Sequence, residues 1–244
     1  MKLKILQWNI WFKERAENII KLIKEIDPDI LCLQELTVGF DNNNNQDVAK
    51  LISKKTNLNY NFALAHKFED NHVQGNGIFS RFPIIENSNF FVLDVKDSTG
   101  YSSEGRVCAV SKIQIEKTKT ILLATAHLSY NHKFTETKEK IREVKTLLKY
   151  LKKYREKVIF TGDLNISPNT KSIKLIEKQL VHCGPNYKEP TWTTKPFSYN
   201  GFEETKLRWR LDYAFATKDI KVISSKIIKT KYSDHLPVLI EVEV

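Results

Sequence analysis

Hydrophobic spacing in the first forty residues changes from strand to helix and back to strand. The segment 3–12 begins with alternating apolar and polar positions, which predicts a first β-strand. Apolar residues then recur at helical spacing over 16–26, and Pro28 marks the end of that helix. The segment 29–34 is almost continuously apolar, as in strands buried on both faces. The opening therefore predicts a strand-helix-strand crossover with a parallel strand pair.

The rest of the chain predicts more strands than helices. We expect a mobile tip at the asparagine run 42–45, a short helix over 47–55, and an antiparallel meander over 60–110. The later predicted elements are a strand over 119–127, a helix over 134–151, a strand over 157–162, a helix over 170–179, an irregular aromatic segment over 183–203, and strands over 208–217, 219–228 and 236–244. No repeat or linker interrupts this pattern. Residues 1–244 are therefore expected to form one α/β domain, with two mixed sheets packed face to face and helices outside.

Composition narrows the class of protein. The 41% hydrophobic and 28% charged residues are ordinary globular values, which exclude a wholly disordered or fibrous chain. No apolar run reaches the roughly 18–20 residues of a membrane span, and the N-terminal segment lacks the apolar core of a signal peptide. We therefore expect a cytoplasmic protein without a membrane span. Cys32, Cys108 and Cys183 are widely spaced, which favours reduced thiols over a zinc site.

The charge balance favours a polyanionic partner. The 39 Lys and Arg outnumber the 29 Asp and Glu, and the net charge of +10 would raise the local concentration of an anionic polymer. Most of these cations are lysine, and asparagine and isoleucine are also frequent. Codon bias in an AT-rich genome is therefore an alternative source of the charge.

Polar side chains lie at or near the ends of the predicted strands. The residues with oxygen ligands are Asn9, Glu35, Asp163, Asn165, Asp212 and Asp234. Such hard ligands suit Mg²⁺ or Mn²⁺ and fit zinc or copper poorly. His127 and His235 add imidazoles, which donate to an oxyanion or move protons near neutral pH. Convergence of these groups on one sheet edge would supply what phosphate-ester hydrolysis requires.

Seven short motifs follow one another along the chain. They are Leu33-Gln34-Glu35, the segment 75–83 (GNGIFSRFP), Glu104-Gly105-Arg106-Val107, Ala126-His127-Leu128, Gly162-Asp163-Leu164-Asn165, Arg210-Leu211-Asp212-Tyr213 and the segment 233–237 (SDHLP). In this order, over residues 5–240, they resemble the endonuclease/exonuclease/phosphatase superfamily. The resemblance implies a four-layer α/β sandwich like that of deoxyribonuclease I. It also implies a Mg²⁺-dependent site, with Mn²⁺ as a substitute, at one end of the two sheets.

The resemblance further implies roles for individual residues. The catalytic candidates are His235, Asp163, Asn165, Asp212 and His127. Asp163, helped by Asn165, resembles the residue that orients the nucleophilic water. His235 resembles the imidazole at the scissile phosphate, as general base or transition-state stabiliser, and Asp212 resembles its orienting carboxylate. His127 matches a histidine that binds phosphate or acts as an acid in several branches.

Metal-binding and substrate-binding roles are implied for other residues. Glu35 resembles the principal metal ligand, with Asn9 beside it on metal or phosphate, and Asp234 resembles a secondary metal ligand or site-shaping carboxylate. The substrate-binding candidates are Asn76, Arg106, Trp192 and Arg208. Of these, Arg106 either lines the site or braces its loops. The aromatic segment around Trp192 would stack on unpaired bases, enter a lipid interface, or belong in part to the core.

The motifs mix the signals of several branches of the superfamily. The segments 104–106 and 210–213 are similar to abasic-site endonucleases, whereas His127 resembles deoxyribonuclease I, tyrosyl-DNA phosphodiesterases, deadenylases and sphingomyelinases. We expect a Mg²⁺-dependent phosphodiesterase that hydrolyses nucleic acid, DNA before RNA, as a nuclease or a repair enzyme that processes ends or lesions. A phosphoesterase acting on a lipid or a small phosphorylated substrate is the alternative, and an inactive nucleic-acid-binding module is the third hypothesis. A monomer is expected, and no protein partner is indicated.

Overall fold

The computed structural model describes residues 1–68, 72–94 and 104–244. The strands are β1 (Lys2–Asn9), β2 (Ile30–Val38), β3 (Asn59–Lys67), β4 (Val73–Ser80), β5 (Ile84–Asn87), β6 (Phe90–Leu93), β7 (Arg106–Glu116), β8 (Lys119–His127), β9 (Val158–Asp163), β10 (Val181–His182), β11 (Phe197–Tyr199), β12 (Phe202–Glu204), β13 (Asp212–Ala216), β14 (Lys221–Ile227) and β15 (Val238–Glu243). The α-helices are α1 (Ala16–Ile26), α2 (Val48–Thr56), α3 (Lys138–Leu151) and α4 (Lys171–Glu177). Within these described ranges, no helix has the length and apolar character needed to cross a bilayer.

The first sheet has the strand order β14-β15-β1-β2-β4-β3. Strands β1 and β2 are parallel, which confirms the predicted crossover through α1. The apolar face of α1 packs with α2 on the outer side of this sheet, in a cluster that includes Ile19, Ile23, Ile52, Leu6 and Trp8. Each buried isoleucine contributes about 1.5–3 kcal/mol when it leaves water, which holds the crossover against the sheet.

The second sheet has the strand order β10-β13-β9-β8-β7-β5, and β6 also pairs with β7. Strands β8 and β9 are parallel, so both end at the same edge. Helices α3 and α4 cover the outer face, where Val144, Leu148 and Ile173 join Leu122 and Phe160 in one cluster.

An apolar layer fills the space between the two sheets. It contains Ile5 and Ile30 from the first sheet and Ala109, Leu123 and Ile159 from the second. The layers therefore follow the order helices, sheet, sheet, helices, which confirms the predicted four-layer α/β sandwich.

Two segments differ from their predictions. The segment 60–110 is not one meander, because β3 pairs with β4 in the first sheet whereas β5 and β6 pair with β7 in the second. The prediction of a mobile tip at the asparagine run is also wrong, since Asp41–Asn43 forms a 3-10 turn. Asn43 is buried, and its side-chain oxygen accepts a hydrogen bond from the backbone N–H of Ala16 at 2.7 Å. This residue therefore anchors the start of α1.

The three cysteines are buried free thiols, as expected. Burial raises the pKa of Cys32 and of Cys183 to about 12, and it also raises the pKa of Cys108. Protonated, buried thiols are poor nucleophiles and poor metal ligands, so these residues belong to the packing of the sandwich.

Candidate active site

Polar side chains from both sheets meet at one edge of the sandwich. Asn9 ends β1, His127 and Asp163 end the parallel strands β8 and β9, and Asp212 begins β13 opposite Asp163. Glu35 reaches the same edge from a bulge in β2, where its φ is 61°. A cavity of about 460 Å³ opens here, and its charged and polar lining includes Glu35, Gln74, Glu104, Arg106, His127, Asp163, Asn165, Asp234 and His235.

Asp163 lies at the centre of this group. Its Oδ2 accepts a hydrogen bond from Nδ2 of Asn9 at 3.0 Å, and its Oδ1 accepts one from the backbone N–H of Asn165 at 2.9 Å. The Nε2 atoms of His127 and His235 lie 3.4 and 3.5 Å from Oδ2. Burial raises the pKa of Asp163, although the charge of His235 opposes the rise. A carboxylate with a raised pKa at a cavity wall is suited to accept a proton.

A buried carboxylate, that of Asp212, contacts the ring nitrogen Nδ1 of His235. This atom lies 2.9 Å from Oδ2 of Asp212, whose Oδ1 accepts a hydrogen bond from Nε2 of Gln7 at 3.1 Å. Burial alone would lower the pKa of this histidine. The negative charges of three carboxylates outweigh burial and hold the pKa of His235 well above its ordinary value. They belong to Asp212, Asp163 and Asp234. The ring is therefore an imidazolium at neutral pH, with its Nε2–H at the cavity.

His127 has the opposite charge state. Burial lowers its pKa well below the ordinary value, and the charges of Arg106 and His235 lower it further. Nδ2 of Asn165 lies 3.0 Å from Nε2 of His127 and donates to the carbonyl of Leu128 at 3.0 Å. A ring nitrogen that faces an amide N–H acts as an acceptor, which assigns the ring proton to Nδ1. His127 is thus a neutral hydrogen-bonding group.

The residues on the Glu35 side of the cavity fit a divalent cation. Glu35 and Asp234 both line the cavity, and burial together with the charge of Asp234 raises the pKa of Glu35. A cation would relieve this crowding of negative charge, and hard carboxylate oxygens are the ligands that Mg²⁺ prefers. Nδ2 of Asn9 donates to Oε1 of Glu35 at 3.0 Å, while its Oδ1 accepts from the N–H of Trp11. Asn9 therefore orients the carboxylate with its amide nitrogen, and its predicted metal contact stays a prediction.

A second group of ligand atoms is less suited to a metal. One atom each from Asp163, Asp212 and His235 lie within 4.8 Å of one another. Nδ1 of His235 is occupied by its contact with Asp212, and the raised pKa of the ring favours a proton on Nε2, which faces the cavity. These three residues are better suited to proton transfer and to binding a phosphate oxygen.

Two predicted substrate-binding residues have different surroundings. Arg106 begins β7, lines the cavity, and pairs with Glu104 through Nη2 and Oε2 at 3.0 Å. It therefore both lines the site and braces a neighbouring segment. Asn76 is buried on β4, and its Nδ2 donates to the carbonyl of Val107 on β7 at 2.8 Å. The amide of Asn76 thus joins the two sheets, next to a small cavity that Asn76 lines with Glu35 and His127, and its predicted substrate contact stays a prediction.

The aromatic segment belongs in part to the core, which is one of the three environments expected for it. Trp192 is 3% exposed, packs edge-on against Phe134 and Phe197, and also lines the cavity, so its predicted substrate contact stays a prediction. Nε1 of Trp192 donates to Oδ2 of Asp234 at 3.0 Å, which orients a candidate metal ligand.

Arg208 lies outside the residues that line the cavity. Its side chain is 60% exposed, and its Nε lies 2.5 Å from Oε2 of the buried Glu204. Its guanidinium contacts the β12 end of the β11–β12 hairpin, and its predicted contact with substrate stays a prediction.

A buried polar network beneath the site was missed by the sequence analysis. Nε2 of Gln7 donates to Oε1 of Gln34 at 2.8 Å as well as to Asp212. Nε2 of Gln34 donates to Oγ1 of Thr125 at 2.8 Å, which connects the first sheet to the second. The signal was present in the sequence, because both glutamines interrupt apolar strand runs. A buried amide in such a run needs partners, and here one partner is the carboxylate of Asp212, which contacts His235.

Two further hydroxyl groups hold the loops of the site. Oγ1 of Thr191 accepts hydrogen bonds from the backbone N–H groups of Leu211 and Asp212 at 3.1 and 3.2 Å. Oγ of Ser233 donates to the carbonyl of Asn9 at 2.7 Å and accepts the N–H of His235 at 3.0 Å. These contacts position both members of the histidine–carboxylate pair.

Comparisons with known proteins agree with this architecture. The sequence model of the Endonuclease/Exonuclease/phosphatase family matches residues 6–235. Protein angel of Drosophila melanogaster is 24% identical over 189 residues, which cover 71% of this chain and 48% of that protein. The chain thus spans about half the length of this curated relative.

Solved structures with the same fold differ in what they act on. D. rerio TDP2 complexed with a single strand DNA product superposes with a TM-score of 0.73 at 17% identity, covering 100% of this chain and 99% of that one. A mannosyl-6-phosphatase from Bacteroides thetaiotaomicron superposes with a TM-score of 0.69 at 16% identity, covering 99% and 100% of the two chains. At these identities the likeness concerns the fold.

Proposed function

Since this chain belongs to the Endonuclease/Exonuclease/phosphatase family, we propose that it is a single-domain, metal-dependent phosphodiesterase that hydrolyses nucleic acid, DNA before RNA. The observation that carries the proposal is the placement of Asp163 between a neutral and a charged imidazole at the wall of the cavity. Attack of water on a phosphodiester is aided by a proton acceptor for the water and by a cationic donor for the charge that develops on the phosphate. Asp163 and His235 provide both.

Each residue of the site then has a defined role. Asp163 orients the attacking water and takes its proton, as its raised pKa favours. The Nε2–H of His235 donates to a phosphate oxygen that gains negative charge in the transition state, and Asp212 keeps the ring charged and oriented. His127 donates from Nδ1 to a second phosphate oxygen, held in place by Asn165.

Glu35 and Asp234 would hold the divalent cation, Mg²⁺ or Mn²⁺, and Asn9 and Trp192 would orient these two carboxylates. When bound, such a cation neutralises the phosphate charge and polarises the ester.

Nucleic acid is the favoured substrate class for two reasons. The net charge of +10 raises the local concentration of a polyanion. A structural neighbour, D. rerio TDP2, is seen with a single strand DNA product in the same fold. DNA-end or lesion processing is the activity that we propose to test first.

A small phosphorylated substrate is the second candidate. Among the described residues that line the cavity there is no lysine, while four carboxylates are present, Glu35, Glu104, Asp163 and Asp234. A cavity of about 460 Å³ with this lining does not favour a long anionic strand over a compact ligand. The mannosyl-6-phosphatase neighbour has the same fold.

The test is a side-by-side hydrolysis panel with Mg²⁺, Mn²⁺ or EDTA. The substrates are single-stranded, double-stranded, abasic and 5′-tyrosyl DNA, RNA, sphingomyelin and a sugar phosphate. Each is repeated with Asp163→Asn and with Asp219→Asn, a control carboxylate that is 58% exposed and pairs with Lys157. Cleavage of DNA that disappears with EDTA and with Asp163→Asn alone supports the proposal. Turnover confined to the lipid or the sugar phosphate contradicts the substrate class, and unchanged activity of Asp163→Asn contradicts the mechanism.

A further inference from the structure

Lys140 of α3 is a buried cation that the proposed chemistry does not use. Its side chain is 0% exposed, and its Nζ donates to the carbonyl of Ser129 and, at 3.0 Å, to the carbonyl of Leu164. The same Nζ forms an ion pair with Oε2 of Glu143, which lies one helical turn along α3, at 3.4 Å. One ammonium thus connects two loops and a helix.

Both carbonyls belong to segments that carry site residues. Ser129 follows His127 by two residues, at the end of β8, and Leu164 lies between Asp163 and Asn165, at the end of β9. Beyond these parallel strands the two loops are joined by the backbone N–H of Leu128, which donates to the carbonyl of Asp163 at 3.0 Å, and by the amide of Asn165, which donates to the carbonyl of Leu128. Lys140 adds a contact one residue further along each loop, at the carbonyls of Ser129 and Leu164.

Glu143 completes the connection from the other side of the lysine. Its two carboxylate oxygens accept the backbone N–H of Ser129 at 3.2 Å and the hydroxyl of the same serine. Ser129 is therefore held through its N–H, its hydroxyl and its carbonyl by two residues of a single helix. The loop that follows His127 has little freedom to move away from α3.

Stability alone gives no reason for this pair. Burial lowers the pKa of Lys140, which shows the cost of keeping an ammonium away from water. Buried ion pairs are often replaced by apolar residues of similar volume without loss of stability. The surrounding positions of α3 are apolar, with Val144, Leu147 and Leu148 all buried in the outer cluster. A methionine at 140 would continue that cluster.

We propose that Lys140 is a positioning residue, which sets the distance between His127 and Asn165 by binding the carbonyls of Ser129 and Leu164. This rests on the proposed function in that the distance matters for phosphodiester hydrolysis. The contact it protects is the 3.0 Å hydrogen bond between Nδ2 of Asn165 and Nε2 of His127, together with the 3.4 Å approach of the same ring to Asp163. A misplacement near 1 Å at a catalytic group costs about 10²-fold in rate.

The test compares Lys140→Met, the double variant Lys140→Met/Glu143→Gln, and the control Lys112→Met. The single variant leaves the buried carboxylate of Glu143 without its counter-ion, so the variant is expected to be less stable than the unaltered protein. The double variant removes both charges and should regain most of the thermal stability while the connection between the loops stays broken. Lys112 pairs with Glu156 at 2.8 Å on β7, outside the residues that line the cavity, so its variant reports the effect of losing an ordinary ion pair.

We expect the double variant to keep KM within about twofold and to lose about 10- to 100-fold in kcat on bis(4-nitrophenyl) phosphate. The ring ¹⁵N resonances of His127 should shift in this variant, while those of His182, on β10, should not. If kcat recovers together with stability, or if His127 is unshifted, Lys140 is only structural and the proposal is overturned. If the unaltered protein hydrolyses no phosphodiester, the proposed function fails, and the resonances of His127 still decide the positioning role.

Discussion

Replacement of Asp212 by asparagine removes the charged partner of His235 with little change of volume. Oδ2, which lies 2.9 Å from Nδ1 of the imidazole, becomes an amide nitrogen, while Oδ1 can still accept the hydrogen bond from Gln7. An N–H group that faces Nδ1 forces the ring to give up that proton, so the histidine becomes neutral with its proton on Nε2. The variant therefore separates the charge of the imidazole from the shape of the site.

The size of the effect follows from the burial of the pair. A hydrogen bond to a charged group contributes about 1.5–3 kcal/mol, and we expect the free energy of unfolding to fall by that amount at neutral pH. The Nε2–H donor remains but loses its positive charge, and because a charge-assisted hydrogen bond is about twice as strong as a neutral one, kcat should fall about 10-fold. Asp212 is 0% exposed and cannot touch the substrate, so KM should change by less than about threefold.

The assay measures kcat and KM on bis(4-nitrophenyl) phosphate with Mg²⁺, with urea unfolding in parallel. Asp219→Asn is the matched control, because its carboxylate is 58% exposed and pairs with Lys157 outside the cavity lining. A value of kcat for Asp212→Asn within about threefold of the unaltered protein would refute the reasoning that a charged His235 takes part in the reaction.

Three further changes test other parts of the structure. Glu35→Gln should weaken Mn²⁺ binding at least about 10-fold by titration calorimetry, because it removes one of the two crowded carboxylates; unchanged affinity would exclude Glu35 as a ligand. Trp192→Phe keeps the aromatic packing but removes the donor to Asp234, and should weaken Mn²⁺ binding about 10-fold with little loss of thermal stability. The pKa of His182 is lowered to about 4 by burial and by the charge of Arg210, so the unfolded chain takes up this proton first as the pH falls below 6.5. The free energy of unfolding should therefore decrease between about pH 6.5 and 4. The decrease is at most about 3 kcal/mol, and about half that after solvent screening. Urea unfolding at several pH values should show a weaker pH dependence for His182→Phe.

Elements that bury one face could be predicted from local spacing. The predicted helix over 16–26 is α1, and the apolar segment after Pro28 is β2, parallel to β1. The convergence of polar side chains on one edge was also predictable, since each of them follows or precedes an apolar strand run. Backbone topology brings strand ends together whatever the side chains are, so that part of the prediction needed no knowledge of the packing.

Side-chain partners across the sandwich could not be predicted in this way. Asn76 and Asn9 are both amides in strand segments, yet one donates to the backbone of the opposite sheet and the other to two site carboxylates. The difference depends on how β4 of the first sheet lies over β7 of the second, two strands that are separated by β5 and β6 in the chain. Spacing within one strand contains no information on how the two sheets pack.

The aromatic segment shows the same limit. Trp192 and Tyr199 are seven residues apart in one segment, but the first is 3% exposed and the second 41%. Trp192 is buried in part by Phe134, from the segment that precedes α3, whose ring packs edge-on with the indole. A contact between residues 58 positions apart leaves no trace in the local pattern.

Net charge is the weakest of the arguments for a nucleic-acid substrate, and the structure explains why. The electric field of a net charge of +10 acts at long range and raises the encounter rate with any polyanion. It does not determine which molecule binds in the cavity. Within the described lining, Arg106 and the charged His235 face four carboxylates, so the cavity itself is not basic. A divalent cation bound at Glu35 and Asp234 would neutralise that local excess of negative charge. Under the proposed function, recognition of phosphate would therefore depend on the metal and the imidazolium, and the surface lysines would act on the approach of the substrate.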